Sequence, residues 1–155
     1  MPLRRTVSLL VVLVAILACH RGVGGPEAGA TSSDGAVQQF LFAAKSQDLP
    51  AMSAVWGTAE GPLREREERR QLERRLLILI CHLRHDESRM GAAQAGEEGK
   101  VMYRVEVMQG EKKGSPVFTT VKDRRTGRWF VESFDLPALQ GFCTAGGAPP
   151  LPAKP

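Results

Sequence analysis

The hydrophobic pattern of this chain changes period near residue 89, and that change constrains the fold more than any other feature. Before it, apolar residues recur at helical spacing on one stripe, Val37, Phe40, Leu41 and Ala44. After it, side chains alternate with a period of two over residues 101–108, 117–122 and 129–134. Helices followed by an antiparallel meander predict an α+β domain rather than an alternating α/β one.

Capping residues indicate where the helices begin. Ser33 and Asp34 are candidate caps for the first helix, and Asp48 is the candidate for a short second helix that Gly57 ends. A third helix is predicted over residues 63–84, with a polar first half and a heavily apolar second half.

The strands are bounded by turn residues. Gly-rich or Asp-rich turns are predicted at residues 110–114 and 123–127, and residues 88–95 form a weaker strand candidate. The face of the sheet that carries the large side chains decides between a buried core and a binding surface. Those side chains are Met102, Met108, Phe118 and Phe130.

The first 18 residues have the composition of a secretory signal peptide. Arg4 and Arg5 precede an uninterrupted apolar run over residues 9–18, and the segment contains no acid. The run is too short to cross a membrane, which takes roughly 20 residues. We therefore expect residues 1–18 to direct export.

The end of this run, Ile16-Leu17-Ala18-Cys19, resembles the lipobox of bacterial lipoproteins. The resemblance implies cleavage after Ala18, a diacylglyceryl group on the Cys19 sulfur, and anchoring in the bacterial cell envelope. His20 after the cysteine, in place of Asp, implies the periplasmic side of the outer membrane if the cell is Gram-negative. The alternative is an ordinary signal peptide that leaves a soluble secreted protein.

Composition limits the folded part of the chain. Residues 19–35 and 144–155 are rich in Gly, Ala and Pro, and we expect a lipidated flexible linker and a disordered tail there. Residues 36–143 remain as one small domain. Removal of Arg4 and Arg5 with the signal peptide lowers the formal net charge from +4 to +2, because no acid leaves with them. This weak positive charge argues against a nucleic-acid partner.

Cys81 and Cys143 remain as an even pair once Cys19 is assigned to the anchor. An oxidising compartment favours a disulfide between them, and two separate buried thiols are the alternative. Cys81 and His85 also stand four residues apart on the predicted helix, a spacing that suits two zinc ligands. No CxxC or HExxH motif supplies further ligands, so we predict neither a metal nor a cofactor.

Residues 37–52, VQQFLFAAKSQDLPAM, are similar to the opening of nuclear transport factor two-like domains. In that family an amphipathic helix leads into an Asp-Leu turn and a second short helix. The strand-turn-strand over residues 117–134, with Trp129, resembles the closing hairpin of the same family, which occurs in many small bacterial lipoproteins. The resemblance implies a cystatin-like cone, in which a curved antiparallel sheet wraps round the N-terminal helices and leaves a cavity at its open end.

Four residues are candidates for a cavity or ligand site, namely Tyr103, Glu106, Glu132 and His85. Enzymes of the same superfamily place an acid or a histidine inside the cone. Because no catalytic triad or phosphate loop accompanies these residues, we expect a non-catalytic domain that binds a small apolar ligand or an envelope protein. The alternative is a small enzyme with a cavity acid or base.

Two basic stretches could bind an anionic partner such as a lipid headgroup. Residues 64–75 mix Arg with Glu on the predicted helix, and four cations flank the last predicted turn, Lys122, Arg124, Arg125 and Arg128. A solvated helical face and exposed turn residues are the simpler interpretations.

Overall fold

The computed structural model of the chain describes residues 27–143. The predicted signal peptide, Cys19 and residues 144–155 lie outside that range. The described residues form three α-helices, namely α1 (Ser33–Ser46), α2 (Leu49–Ala54) and α3 (Arg69–Leu83). They also form seven strands, namely β1 (Gly57–Thr58), β2 (Gly61–Pro62), β3 (Glu87–Ala95), β4 (Val101–Gln109), β5 (Lys112–Gly114), β6 (Val117–Lys122) and β7 (Trp129–Phe134). Short 3₁₀ helices occupy Leu63–Glu65, Glu97–Gly99 and Leu136–Leu139.

The main sheet is a curved antiparallel meander. Its strand order is β3–β4–β6–β7, and β1 and β2 form a separate hairpin. β4 has two partners along its second side, since its first half pairs with β6 and its last residues pair with β5. The helices pack against one face of this sheet, called the inner face here. The α+β class predicted from the change in period is confirmed.

Phe40 of α1 lies at the centre of the core between the helices and the inner face. It is fully buried, and its ring centroid lies 6.1–6.5 Å from those of Trp56, Phe118 and Phe134. Burying a phenylalanine contributes about 1.5–3 kcal/mol, and edge-on aromatic pairs add to this. The aromatic cluster therefore fixes α1 against β6 and β7.

The helices begin at other residues than the sequence predicted. Ser32, one residue before the expected caps, accepts a hydrogen bond from the Gly35 amide and caps α1. Asp48 caps α2 as expected, because its carboxylate accepts from the Ala51 amide at 2.9 Å. α3 begins at Arg69 instead of residue 63, since the Glu68 carboxylate accepts from the amides of Arg70 and Gln71 in its first turn.

The folded region starts before residue 36, where the linker was predicted to end. Ala30 is 1% exposed, and its backbone exchanges two hydrogen bonds with Trp129 of β7. Gly29 adopts a φ of +82°, and a Cβ there would lie 2.7 Å from the Phe130 ring. The Gly-rich composition of this stretch therefore serves close packing as well as a turn.

The large side chains of the sheet lie on both of its faces. Phe118 is buried on the inner face, whereas Met102 and Met108 lie on the outer face with Arg104 and Glu106 between them. Phe130 is buried outside the main core, between Gly29 and Gly57. The outer face of β4 therefore alternates apolar and charged residues and is no continuous apolar patch.

Candidate functional site

The four predicted site residues lie in different places. Tyr103 is 5% exposed, and its Oη lies 2.7 Å from the Oγ of Ser33, so it joins β4 to the first turn of α1. Glu106 is exposed on the outer face, directly opposite Arg89 of β3. These two residues share no cavity.

Glu132 is held in an ion pair near the opposite edge of the sheet. Its Oε2 lies 2.7 Å from the Nζ of Lys100, and this hydrogen bond raises the pKa of the Lys100 ammonium group. The negative charge of Glu132 is thereby matched locally. Three of the four candidates line clefts, and these are different clefts. Glu106 lines one of about 370 Å³ beside β3 and β5, and Glu132 lines one of about 470 Å³ beside the β6–β7 turn. His85 lines a third.

This cleft lies between α1 and β3 and has a volume of about 420 Å³. We call it the α1–β3 cleft. It exists because β3 extends the sheet beyond the helices, so that the inner face of β3 is left largely uncovered. Its lining is half apolar and half polar, and consists of Gln38, Leu41, Phe42, Lys45, His85, Ser88, Met90 and Val105.

Phe42 forms the exposed lip of the cleft. Its side chain is 74% exposed, the largest fraction among the large apolar residues described. The neighbouring positions on that side of α1, Gln38, Gln39 and Lys45, are polar. With Leu41, Met90 and Val105, Phe42 makes up the apolar half of the cleft lining and continues it to the surface.

His85 is 8% exposed and is oriented by a backbone group. Its Nδ1 lies 2.7 Å from the carbonyl oxygen of Leu83. A carbonyl only accepts, so Nδ1 carries the hydrogen and Nε2 of the neutral ring is left as an acceptor. Among the described residues, no carboxylate lines the cleft beside it. The lining therefore provides hydrogen-bonding groups, from Gln38, Lys45, Ser88 and His85, but no carboxylate to pair with the imidazole.

Two tethers hold the mouth of the cleft. The Lys45 ammonium group donates to the carbonyl oxygen of Asp86, which ties the last turn of α1 to the residue before β3. The Asp86 carboxylate accepts from the amide of Gly110 at 2.7 Å. The strand entry is thereby fixed to both α1 and the β4–β5 turn.

Cys81 and Cys143 are brought together in disulfide geometry, with their Cα atoms 5.0 Å apart. α3 ends at Leu83, so His85 lies beyond the helix and does not share a helical face with Cys81. The Cys81 sulfur is bonded to Cys143 and is not available as a metal ligand. Within residues 27–143, no group of three or more His, Cys, Asp or Glu side chains is placed to hold a metal ion.

Sequence reasoning missed Phe42 as a site residue. The signal was present, because Phe42 falls outside the stripe of Val37, Phe40, Leu41 and Ala44 and so interrupts the polar side of the helix. The sequence did not indicate that β3 lines a cleft, because its mainly small side chains do not form a pattern typical of a binding site.

None of the described helices has the length and apolar character needed to span a membrane. Comparison with models of protein families, with curated proteins and with solved structures finds no match to this chain.

Proposed function

We propose that this chain is an exported lipoprotein of the bacterial cell envelope, anchored by acyl groups on Cys19, whose domain binds a small apolar ligand without catalysis. The apolar run before Cys19 and the charged start of the chain support export. The pairing of Cys81 with Cys143 suits the oxidising conditions outside the cytoplasm.

A nuclear transport factor two-like origin is part of the same proposal. Two helices joined through the capping residue Asp48, a third helix and then a four-stranded meander are in the order that the resemblance implies. The open half of the inner face corresponds to the mouth expected of a cone.

The observation that carries the binding function is Phe42, which stands 74% exposed at the lip of the α1–β3 cleft. The volume of about 420 Å³ lies in the range of small-molecule sites, which is about 300–1,000 Å³. Leu41, Met90 and Val105 offer an apolar floor, and His85 offers one hydrogen-bond acceptor. A ligand with an apolar body and a single polar end fits this lining.

The binding function is tested with an apolar fluorophore, anilinonaphthalene sulfonate, as the probe. Saturable binding to the purified protein is expected, and Phe42→Ala lowers the affinity by at least about fivefold, since about 1 kcal/mol of apolar contact is lost. Ile78→Ala is the matched control, because Ile78 is 58% exposed on α3 away from the cleft. Equal losses in the two variants, or no saturable binding, contradict the proposal.

Lipidation is tested by mass spectrometry of the N-terminal peptide of the mature protein. The expected peptide begins at Cys19 and carries a diacylglyceryl group, and Cys19→Ser moves the protein out of the membrane fraction. An unmodified N-terminus, with the serine variant fractionating like the wild type, shows instead a soluble secreted protein.

A further inference from the structure

The turn between β6 and β7 carries four cations, Lys122, Arg124, Arg125 and Arg128, which we call the basic tip. The one acid within residues 122–128, Asp123, is 2% exposed. Its carboxylate accepts hydrogen bonds from the hydroxyl of Thr126 and the amide of Arg125 inside the turn. The exposed surface of the turn therefore presents positive charge.

Most of these cations have few contacts with other side chains of the protein. Arg124 makes no contact ion pair and no side-chain hydrogen bond with any residue in the described part of the chain, and the Glu60 carboxylate attracts it across the cleft that they share. Arg125 reaches Glu65 at 3.9 Å with its side chain 74% exposed. The Nζ of Lys122 stands 5.9 Å from the centroid of the partly buried Trp129 ring. These three side chains are open to an external anion.

Arg128 has a different part, because it joins the basic tip to the N-terminal end of the fold. Its Nη2 donates to the Gly29 carbonyl oxygen at 2.6 Å, and its Nη1 lies 3.7 Å from the Glu27 carboxylate. Ala30 pairs with Trp129 beside it. The chain thus enters the domain at the basic tip.

This entry point lies close to the proposed anchor. Glu27 follows Cys19 by eight residues, which span at most about 29 Å when fully extended. A lipid on Cys19 therefore holds Glu27, which pairs with Arg128 of the basic tip, within about 29 Å of the membrane surface. No other end of the domain is so closely tied to Cys19 along the chain.

The cleft opens at the other end of α1. The helix starts beside the basic tip at Ser33 and is about 21 Å long. Phe42 lies in its last turns, and Lys45 bonds to Asp86 beyond its far end. A domain that rests on its basic tip therefore presents Phe42 and His85 away from the membrane.

We infer that Lys122, Arg124 and Arg125 bind the phosphate headgroups of anionic lipids in the membrane that carries the Cys19 anchor, and so orient the cleft away from that membrane. This inference rests on the proposed lipid anchor. Arginine binds phosphate through two parallel hydrogen bonds, which suits Arg124 and Arg125 to this role. Cations near an anionic surface supplement acyl chains as a second attachment.

The test reconstitutes the purified, lipidated protein into phosphatidylcholine vesicles with and without phosphatidylglycerol. Amide hydrogen exchange over residues 123–129 is expected to slow in the anionic vesicles only, and added salt is expected to reverse the effect. Arg124→Gln/Arg125→Gln weakens the contact by about 25-fold, about fivefold for each arginine, and abolishes the protection.

Arg89→Gln/Lys113→Gln is the matched control, because it removes the same charge from exposed residues of β3 and β5. This variant keeps the protection. Equal exchange in both vesicles, protection that survives in the Arg124→Gln/Arg125→Gln variant, or loss in the control overturns the inference. An unmodified Cys19 in the mass spectrum instead overturns the anchor and the inference together, so the two failures are distinguished.

Discussion

Asp123 shows how a buried carboxylate stabilises a tight turn of this chain. The hydroxyl of Thr126 donates to Oδ2 at 2.6 Å, and the amide of Arg125 donates to Oδ1 at 2.8 Å. These hydrogen bonds, with that of Thr126 the largest cause, hold the pKa of Asp123 below its usual value. The sequence predicted a turn here, but a charged residue in a polar turn is normally exposed, so the burial of Asp123 was not predictable.

The contribution of Asp123 depends on pH in a defined direction. Because its folded-state pKa is depressed, the stabilisation is present above the pKa of the unfolded chain, near 3.9, and is lost as the pH falls through the lower folded-state pKa. Asp123→Asn is expected to lower the free energy of unfolding by about 1–3 kcal/mol at neutral pH. The difference in the free energy of unfolding between the variant and the wild type becomes smaller in acid.

Urea unfolding of both proteins at neutral pH and near pH 3 measures this gap. Asp48→Asn is a useful companion, because Asp48 also accepts a backbone hydrogen bond, from the Ala51 amide, but at an exposed helix cap. A difference between Asp123→Asn and wild type that is the same at both pH values contradicts the assignment.

Elements formed where the pattern predicted, while their ends and partners depended on individual contacts. The Arg/Glu run over residues 64–75 is only partly helical. Arg69 pairs with Glu73 at helical spacing, at 2.7 Å, but the acids before Glu68 pair differently. Glu65 pairs with Arg125 of the β6–β7 turn, and Glu67 pairs with Arg75 at 2.6 Å. Glu68 is the cap residue of α3. The residues before it therefore lie outside the helix and do not follow its spacing.

β3 is the element that the sequence underestimated most. Its side chains are mainly small and exposed, yet seven of its nine residues pair with β4. A register shift between Met90 and Ala93 interrupts this pairing. Its strand conformation comes from the ladder with β4 rather than from its own hydrophobic pattern, which is why the pattern was weak.

The C-terminal segment is tied to α3 by the cysteine pair as well as by packing. Leu139 and Phe142 are buried in the core, and Cys143 meets Cys81 across 62 residues of chain. In the chain-entropy model, closing a loop of this length stabilises the fold by about 4 kcal/mol. This contribution is therefore a large share of the free energy of unfolding expected of a domain of this size.

Removing the link is expected to weaken the whole domain. Cys81→Ser/Cys143→Ser lowers the free energy of unfolding by about 4 kcal/mol in denaturant titrations, and reductant lowers the wild type by a similar amount. Reductant leaves the double variant unchanged, which separates the bond from nonspecific effects. A wild-type midpoint that does not respond to reductant shows two free thiols.

At the scale of the whole molecule, α1 joins the two regions for which we propose functions. The chain enters beside the basic tip, and the α1–β3 cleft opens near Lys45 and His85. Of the four residues predicted for a cavity, only His85 lies in this cleft, and Phe42 was not predicted. Distances between residues far apart in sequence decide which of the candidates share a cleft.

The sequence by itself determined the order of the three helices and the four long strands, and with it the α+β class. It also carries the export signal and the cysteine at its end, which stay predictions outside the described residues. Side-chain periodicity encodes these properties because it records direction within one element. Tertiary structure decided the rest, namely the meeting of Cys81 with Cys143, the cleft beyond the edge of the helices and the entry of the chain at the basic tip. Those features depend on how elements pack against one another, which no local pattern contains.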